Sequence, residues 1–199
     1  MSDRDLITGF VADVAVIHSK SPTGPAISRD AASVAESLLR LWREPQRAYH
    51  DVTHLTEMLT AIATLSARTG CCASLPNLVA WYHDAVYDPA RTDNEAASAA
   101  LASRELAGLG IATAMAEEVA ALIEQTADHV LPSPGTTAAV VHDADLWILA
   151  SGADRFDEYC AQVRREYAAV PDTAYAHGRS AIQPGIQTFS SAVNSGKRW

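Results

Sequence analysis

The chain has 199 residues, 48% hydrophobic and 20% charged, a length and balance that suit one globular domain with a sizeable core and exclude a disordered chain. Its net charge is −9 and only two of its fifteen basic residues are lysines, which argues against a surface that holds nucleic acid through its phosphates. No stretch offers about eighteen uninterrupted apolar residues and the start carries no signal-peptide pattern, so no membrane association is expected and a cytoplasmic location is.

Apolar spacing of three and four recurs along the chain, with no two-residue alternation bounded by hairpin turns, so the fold is expected to be all-α. Leu6, Phe10, Val14 and Ile17 form the stripe of a first helix, and Ser19 to Pro25 reads as a loop. Ser28 or Asp30 caps a second helix that buries Val34, Ala35, Leu38, Leu41 and Trp42 and stops at Pro45. The stretch from Arg47 then leads into a third helix carrying Leu55, Met58, Leu59, Ile62 and Leu65. If that helix begins early, His50 and His54 share one face, and His54 continues the apolar stripe.

Gly70 to Pro76 reads as a turn, followed by Leu78-Val-Ala-Trp-Tyr82, an apolar run that delivers His83 and Asp84 side by side. A neutral imidazole and a carboxylate in an apolar wall are costly unless something neutralises the acid and uses the ring nitrogen, and a divalent cation does both. After the polar loop Asp88 to Asp93, Thr92 or Asp93 caps a helix with Asn94 and Glu95 in its first turn. Glu95 there either complements the helix dipole or serves as a proton acceptor or donor.

A helix from Ala114 to Asp128 is expected next, ending close to His129. The segment from Thr136 to Ser151 is so apolar that a helix there must run through the core, yet it contains Asp143 and Asp145. Each acid shares a face with apolar neighbours, so periodicity does not choose between them. Two further helices are expected over Asp154 to Val170 and Asp172 to Val193, with Arg164, Arg165 and Arg179 as face charges. Cys71, Cys72 and Cys160 are an odd number, including a vicinal pair that closes only with strain, so reduced thiols in or near the core are expected.

The order His, then His-Asp, then Asp, each on a helix, resembles the HD superfamily of metal-dependent phosphohydrolases. The similarity runs from about Leu39 to about Phe189 and rests on Arg47-x-Tyr-His50 with His54, Tyr82-His-Asp-x-Val-Tyr-Asp88, Asn94-Glu95 with Ser98-Ala99, Thr126-x-x-His129, Asp143-Ala-Asp-Leu146, and Arg165-Glu-Tyr with Gly178-Arg179. These blocks resemble a compact bacterial subfamily of predicted HD phosphohydrolases. The bare His-Asp pair is weakly specific and occurs three times; the ordered set is far more so.

The resemblance implies an HD-like helical bundle in which His54, His83, Asp84 and Asp145 hold a divalent ion (Mn, Mg, Fe, Co, Ni or Zn). Asp84 and Glu95 are then the catalytic candidates, and Arg47, His50 and His129 the groups that meet a small phosphorylated substrate, such as a nucleotide or related metabolite. Asp51 stands where similar sequences have asparagine, and the ending Asn194 to Trp199 departs from the usual one. Two other functions fit the same residues: a metal or nucleotide module without hydrolysis, and a di-iron oxygenase that recruits His50, His129 or His142.

Overall fold

The computed structural model describes residues 1–20, 24–128 and 130–177. Among these the chain is helical throughout, with no strand: α1 Asp3–Lys20, α2 Ala31–Leu41, α3 Val52–Thr69, α4 Ser74–Tyr82, α5 Asn94–Gly108, α6 Thr113–Glu124, α7 Thr137–Asp145 and α8 Ala153–Glu166. A 3-10 turn, Leu146–Ala150, joins α7 to α8. No helix among the described residues is long and apolar enough to cross a membrane.

The helix starts follow from local chemistry. Asp30, Asp51 and Thr136 each accept a hydrogen bond from a backbone N–H of the first turn of α2, α3 and α7, satisfying a donor that the helix itself cannot. Asp51, the departure noted above, is therefore the cap that sets where α3 begins. At the other end of α3 Gly70 adopts a left-handed conformation, φ 73°, which glycine takes without a side-chain penalty.

α4 is the centre of the molecule, packing against α1, α3, α5, α6 and α7. Every residue of it but Asn77 is buried, as expected of a helix apolar on all sides. Burying Leu78, Val79, Trp81 and Tyr82 contributes about 1.5–3 kcal/mol for each large side chain. Phe10 meets Trp81 edge to face with ring centroids 5.1 Å apart, and Trp42 donates from Nε1 to the Trp81 carbonyl at 3.0 Å. The last residues of α2 and α4 are thereby fixed to one another, and α4 holds its C-terminus, with His83, rigidly at the core's edge.

Several boundaries differ from expectation. α4 begins at Ser74, with Pro76 in its first turn, where a missing N–H costs nothing. α6 ends at Glu124 and α8 at Glu166, both earlier than expected. α7 stops at Asp145 instead of running to Ser151. Leu39 is buried in α2 where Leu41 was expected, and Cys72 is exposed, not in the core. Of the expected last helix only 172–177 is described, and it is helical; Arg179 and His129 lie outside the described residues.

Candidate metal centre and its cleft

Three helix ends converge beside Trp42. His54 lies in the first turn of α3, His83 is the C-cap of α4, and Asp145 is the last residue of α7. The Nε2 atoms of His54 and His83 stand 3.2 Å apart. Asp145 Oδ1 is 3.3 Å from the first and 3.5 Å from the second. Asp84 Oδ2 is 3.2 Å from His83 Nε2 and 3.9 Å from His54 Nε2.

This arrangement suits a dication on two grounds. Ligands about 2.0–2.2 Å from a common ion in tetrahedral or octahedral geometry lie roughly 3.0–3.5 Å from each other, the range in which most of these atoms fall. The chemistry agrees: His83 Nδ1 donates to the Ala80 carbonyl at 3.0 Å, so Nε2 is the ring atom turned to the cluster, free to take either a proton or a metal ion. Burial disfavours charge on the His83 ring, but Asp84 and Asp145 outweigh it and raise its pKa well above the usual value. Burial likewise opposes charge on the two acids, yet the imidazoles hold both well below the ordinary carboxylate range. Two carboxylates fixed as anions beside these rings call for positive charge, which a proton on His83 or a bound dication supplies.

α7 separates its two acids. Positions two apart on a helix point to different sides, so Asp143 faces away from the centre and accepts from His142 Nδ1 at 3.0 Å. The third His-Asp pair thus closes on itself.

His50 is not on α3 but in the turn ahead of its cap, so the shared helix face does not exist. Its Nδ1 donates to Glu166 Oε2 at 2.7 Å, while the ring lies on Tyr87 with centroids 4.4 Å apart. Glu166 is the residue that sequence reasoning missed. Its Oε1 accepts from the backbone N–H groups of Ala48, Tyr49 and His50 at 2.7–2.9 Å, and Oε2 also accepts from the Tyr87 hydroxyl at 2.9 Å. One fully buried carboxylate therefore shapes the whole approach to α3. The block Arg165-Glu-Tyr marks the place in the sequence, and its arginine is exposed.

Burial pushes the Glu166 carboxyl up, but the bonds from His50 and the backbone prevail and bring it from 4.5 to about 2. A depressed folded-state pKa stabilises the fold fully above the unfolded value, and that contribution is lost as pH falls through the folded one. The wild type is thus expected to lose stability steeply between pH 4.5 and about 2. Glu166→Gln should flatten this acid limb, which thermal melts across that range would show.

Two roles were open to Arg47, meeting substrate or pairing Glu44 or Asp51 at the surface; it pairs Glu44, but with its guanidinium wholly buried. It donates to the carbonyls of His50, Asp84 and Ala85 at 2.9, 2.8 and 3.0 Å and to Glu44 at 3.3–3.4 Å, between the rings of Trp42 and Tyr87. All five of its N–H donors are used within the protein. Asn94 and Ser98 hold the loop after the doublet: Asn94 exchanges two hydrogen bonds with the Asp88 backbone, and Ser98 accepts from the Val86 N–H.

The centre opens into a cleft of about 690 Å³. His50, His83, Asp84 and Asp145 line one part of it, and Glu95, half-buried, lines the wall made by α5. Its other walls come from the loop before α5, residues 126–128, the 3-10 turn, α8 and residues 170–175. No family model, curated protein or solved structure matches the chain.

Proposed function

We propose that the chain is an HD-type, metal-dependent phosphohydrolase acting on a small phosphate ester or anhydride. The observation that carries this reading is the convergence of His54, His83 and Asp145, whose ligand atoms all lie within 4.8 Å of one another at the edge of a cleft. The ordered sequence blocks support it, as does the all-helical fold.

His54, His83, Asp84 and Asp145 would hold the ion, a donor set of imidazole and carboxylate that suits Mn, Fe, Co, Ni or Zn, or Mg with added oxygen ligands. Bound there, a divalent ion supplies Lewis acidity toward a phosphoryl oxygen and lowers the pKa of water. The chain's own groups do the rest. Burial disfavours charge on the His50 ring, but Glu166, Asp84 and Asp145 outweigh it and raise its pKa; as an imidazolium it would donate from Nδ1 to Glu166 and from its second nitrogen to a phosphoryl oxygen in the cleft it lines. Glu95, which lines the same cleft, would accept or return a proton. Arg47 acts through the backbone it clamps.

The experiment is metal analysis and equilibrium binding of Mn2+ and Zn2+ to the purified protein, with phosphate release from 4-nitrophenyl phosphate and a panel of phosphorylated metabolites. Binding of a divalent ion with metal-dependent turnover, lost in Asp84→Ala, is expected. Metal binding without turnover of any ester would favour the non-hydrolytic alternative, and two irons per chain the oxygenase.

A further inference from the structure

Five of the six tyrosines in the chain line the cleft into which the candidate centre opens. Tyr49, Tyr87 and Tyr159 are embedded in its walls, with 4%, 7% and 8% exposure. Tyr167 and Tyr175 differ in being half-buried, and their rings stand together with centroids 6.0 Å apart at an interplanar angle of 45°.

That pair is braced from behind. Arg164 donates to the carbonyls of Tyr167 at 2.6 Å and Val170 at 3.1 Å and to the Asp172 carboxylate at 2.6 and 3.2 Å, so one guanidinium ties the end of α8, with Tyr167, to the start of the helical segment that carries Tyr175. Its Cζ lies 4.8 Å from the centroid of the Tyr175 ring. Tyr175 lines the cleft and Arg164 does not. The cation therefore sits against the Tyr175 ring from outside the cleft. The charge also strengthens the ring's hold on its place, because a guanidinium over an aromatic face is attractive.

We propose that Tyr167 and Tyr175, braced by Arg164, form a stacking shelf for a planar aromatic group, so that the cleft selects phosphate esters that carry a nucleobase or an aryl ring. For the phosphoryl end this rests on the phosphohydrolase reading above; for the ring end it does not. Arg164 is a positioning residue, and Tyr167 and Tyr175 determine specificity. Stacking on an aromatic side chain reads any π-face, so such a shelf discriminates between ring-bearing and ringless esters.

The test separates the two ends. Adenosine, which has no phosphoryl group, is titrated into the full-length protein without added metal and its binding followed by tryptophan fluorescence and by ligand NMR. Saturable binding is expected, weakened about tenfold or more in Tyr175→Ala and kept in Tyr175→Phe, with circular dichroism and melting temperature confirming that both variants fold. With metal, KM for adenosine 5′-monophosphate should rise about tenfold in Tyr175→Ala while KM for glycerol 3-phosphate stays unchanged. The same comparison with 4-nitrophenyl phosphate tells a small aryl group from a purine. Failure of wild-type protein to bind adenosine, or equal binding by Tyr175→Ala, overturns the shelf even if esters are hydrolysed. Tyr175-dependent adenosine binding with no ester hydrolysed upholds the shelf and overturns the phosphohydrolase reading instead.

Discussion

Asp145→Asn is expected to weaken divalent-ion binding by at least about 100-fold, more than the 10–100-fold typical of losing a group that only supports a ligand, and to reduce phosphate release roughly a thousandfold. Asp143→Asn should leave both within a few-fold of wild type. The contrast is sharp because the two acids are two residues apart in one helix. Asp145 Oδ1 stands 3.3 and 3.5 Å from the two histidine nitrogens, whereas Asp143 is turned to His142. An amide at position 145 keeps shape and one carbonyl oxygen but removes the anionic charge that holds a cation beside two neutral imidazoles. Calorimetric titration with Mn2+ and Zn2+ on the three proteins, with turnover on the best ester, measures both halves. Equal loss in the two variants would show that the effect comes from disturbing α7 and not from a lost ligand.

Arg47→Ala is expected to be the most destabilising single change near the site, by about 3 kcal/mol or more, read as a lower urea midpoint. The loss has a specific origin. Three carbonyls, of His50, Asp84 and Ala85, would lose their donor, the last of them buried and the others partly so, at up to about 1–3 kcal/mol each where water cannot replace it. Packing between Trp42 and Tyr87 disappears as well. Arg47→Lys should recover only part of this, because an ammonium cannot reproduce the planar fork that reaches separate carbonyls. If Arg47 instead served mainly to bind substrate, Arg47→Ala would melt like wild type and raise KM.

The contrast between these residues shows where sequence reasoning works. The stripe Leu6, Phe10, Val14 and Ile17 is a property of one helix read by itself, and α1 buries those four. The doublet His83-Asp84 is legible because a polar pair ending an apolar run is anomalous wherever the chain goes. The choice between Asp143 and Asp145 was not legible from periodicity, since each has apolar neighbours on its face; it depends on which side of α7 meets α3 and α4. Arg47 and Glu166 were misread or overlooked for a deeper reason. Their partners are mainly backbone groups, and every residue except proline offers the same N–H and C=O, so the sequence carries no complementary letter to pair with them. His50 shows the boundary problem: a cap at Asp51 moved it off the helix on which its spacing to His54 had meaning.

That His54 opens one helix, His83 closes another and Asp145 ends a third has a further consequence. Ligands mounted on stiff rods cannot spread apart as loop ligands do. Calcium wants six to eight oxygens at about 2.3–2.6 Å in a forgiving cage, whereas this nest offers two nitrogens and two carboxylates at fixed spacing. Selection against the most abundant large dication outside cells would then be a property of how the bundle is strung together, built in before any particular side chain is tuned.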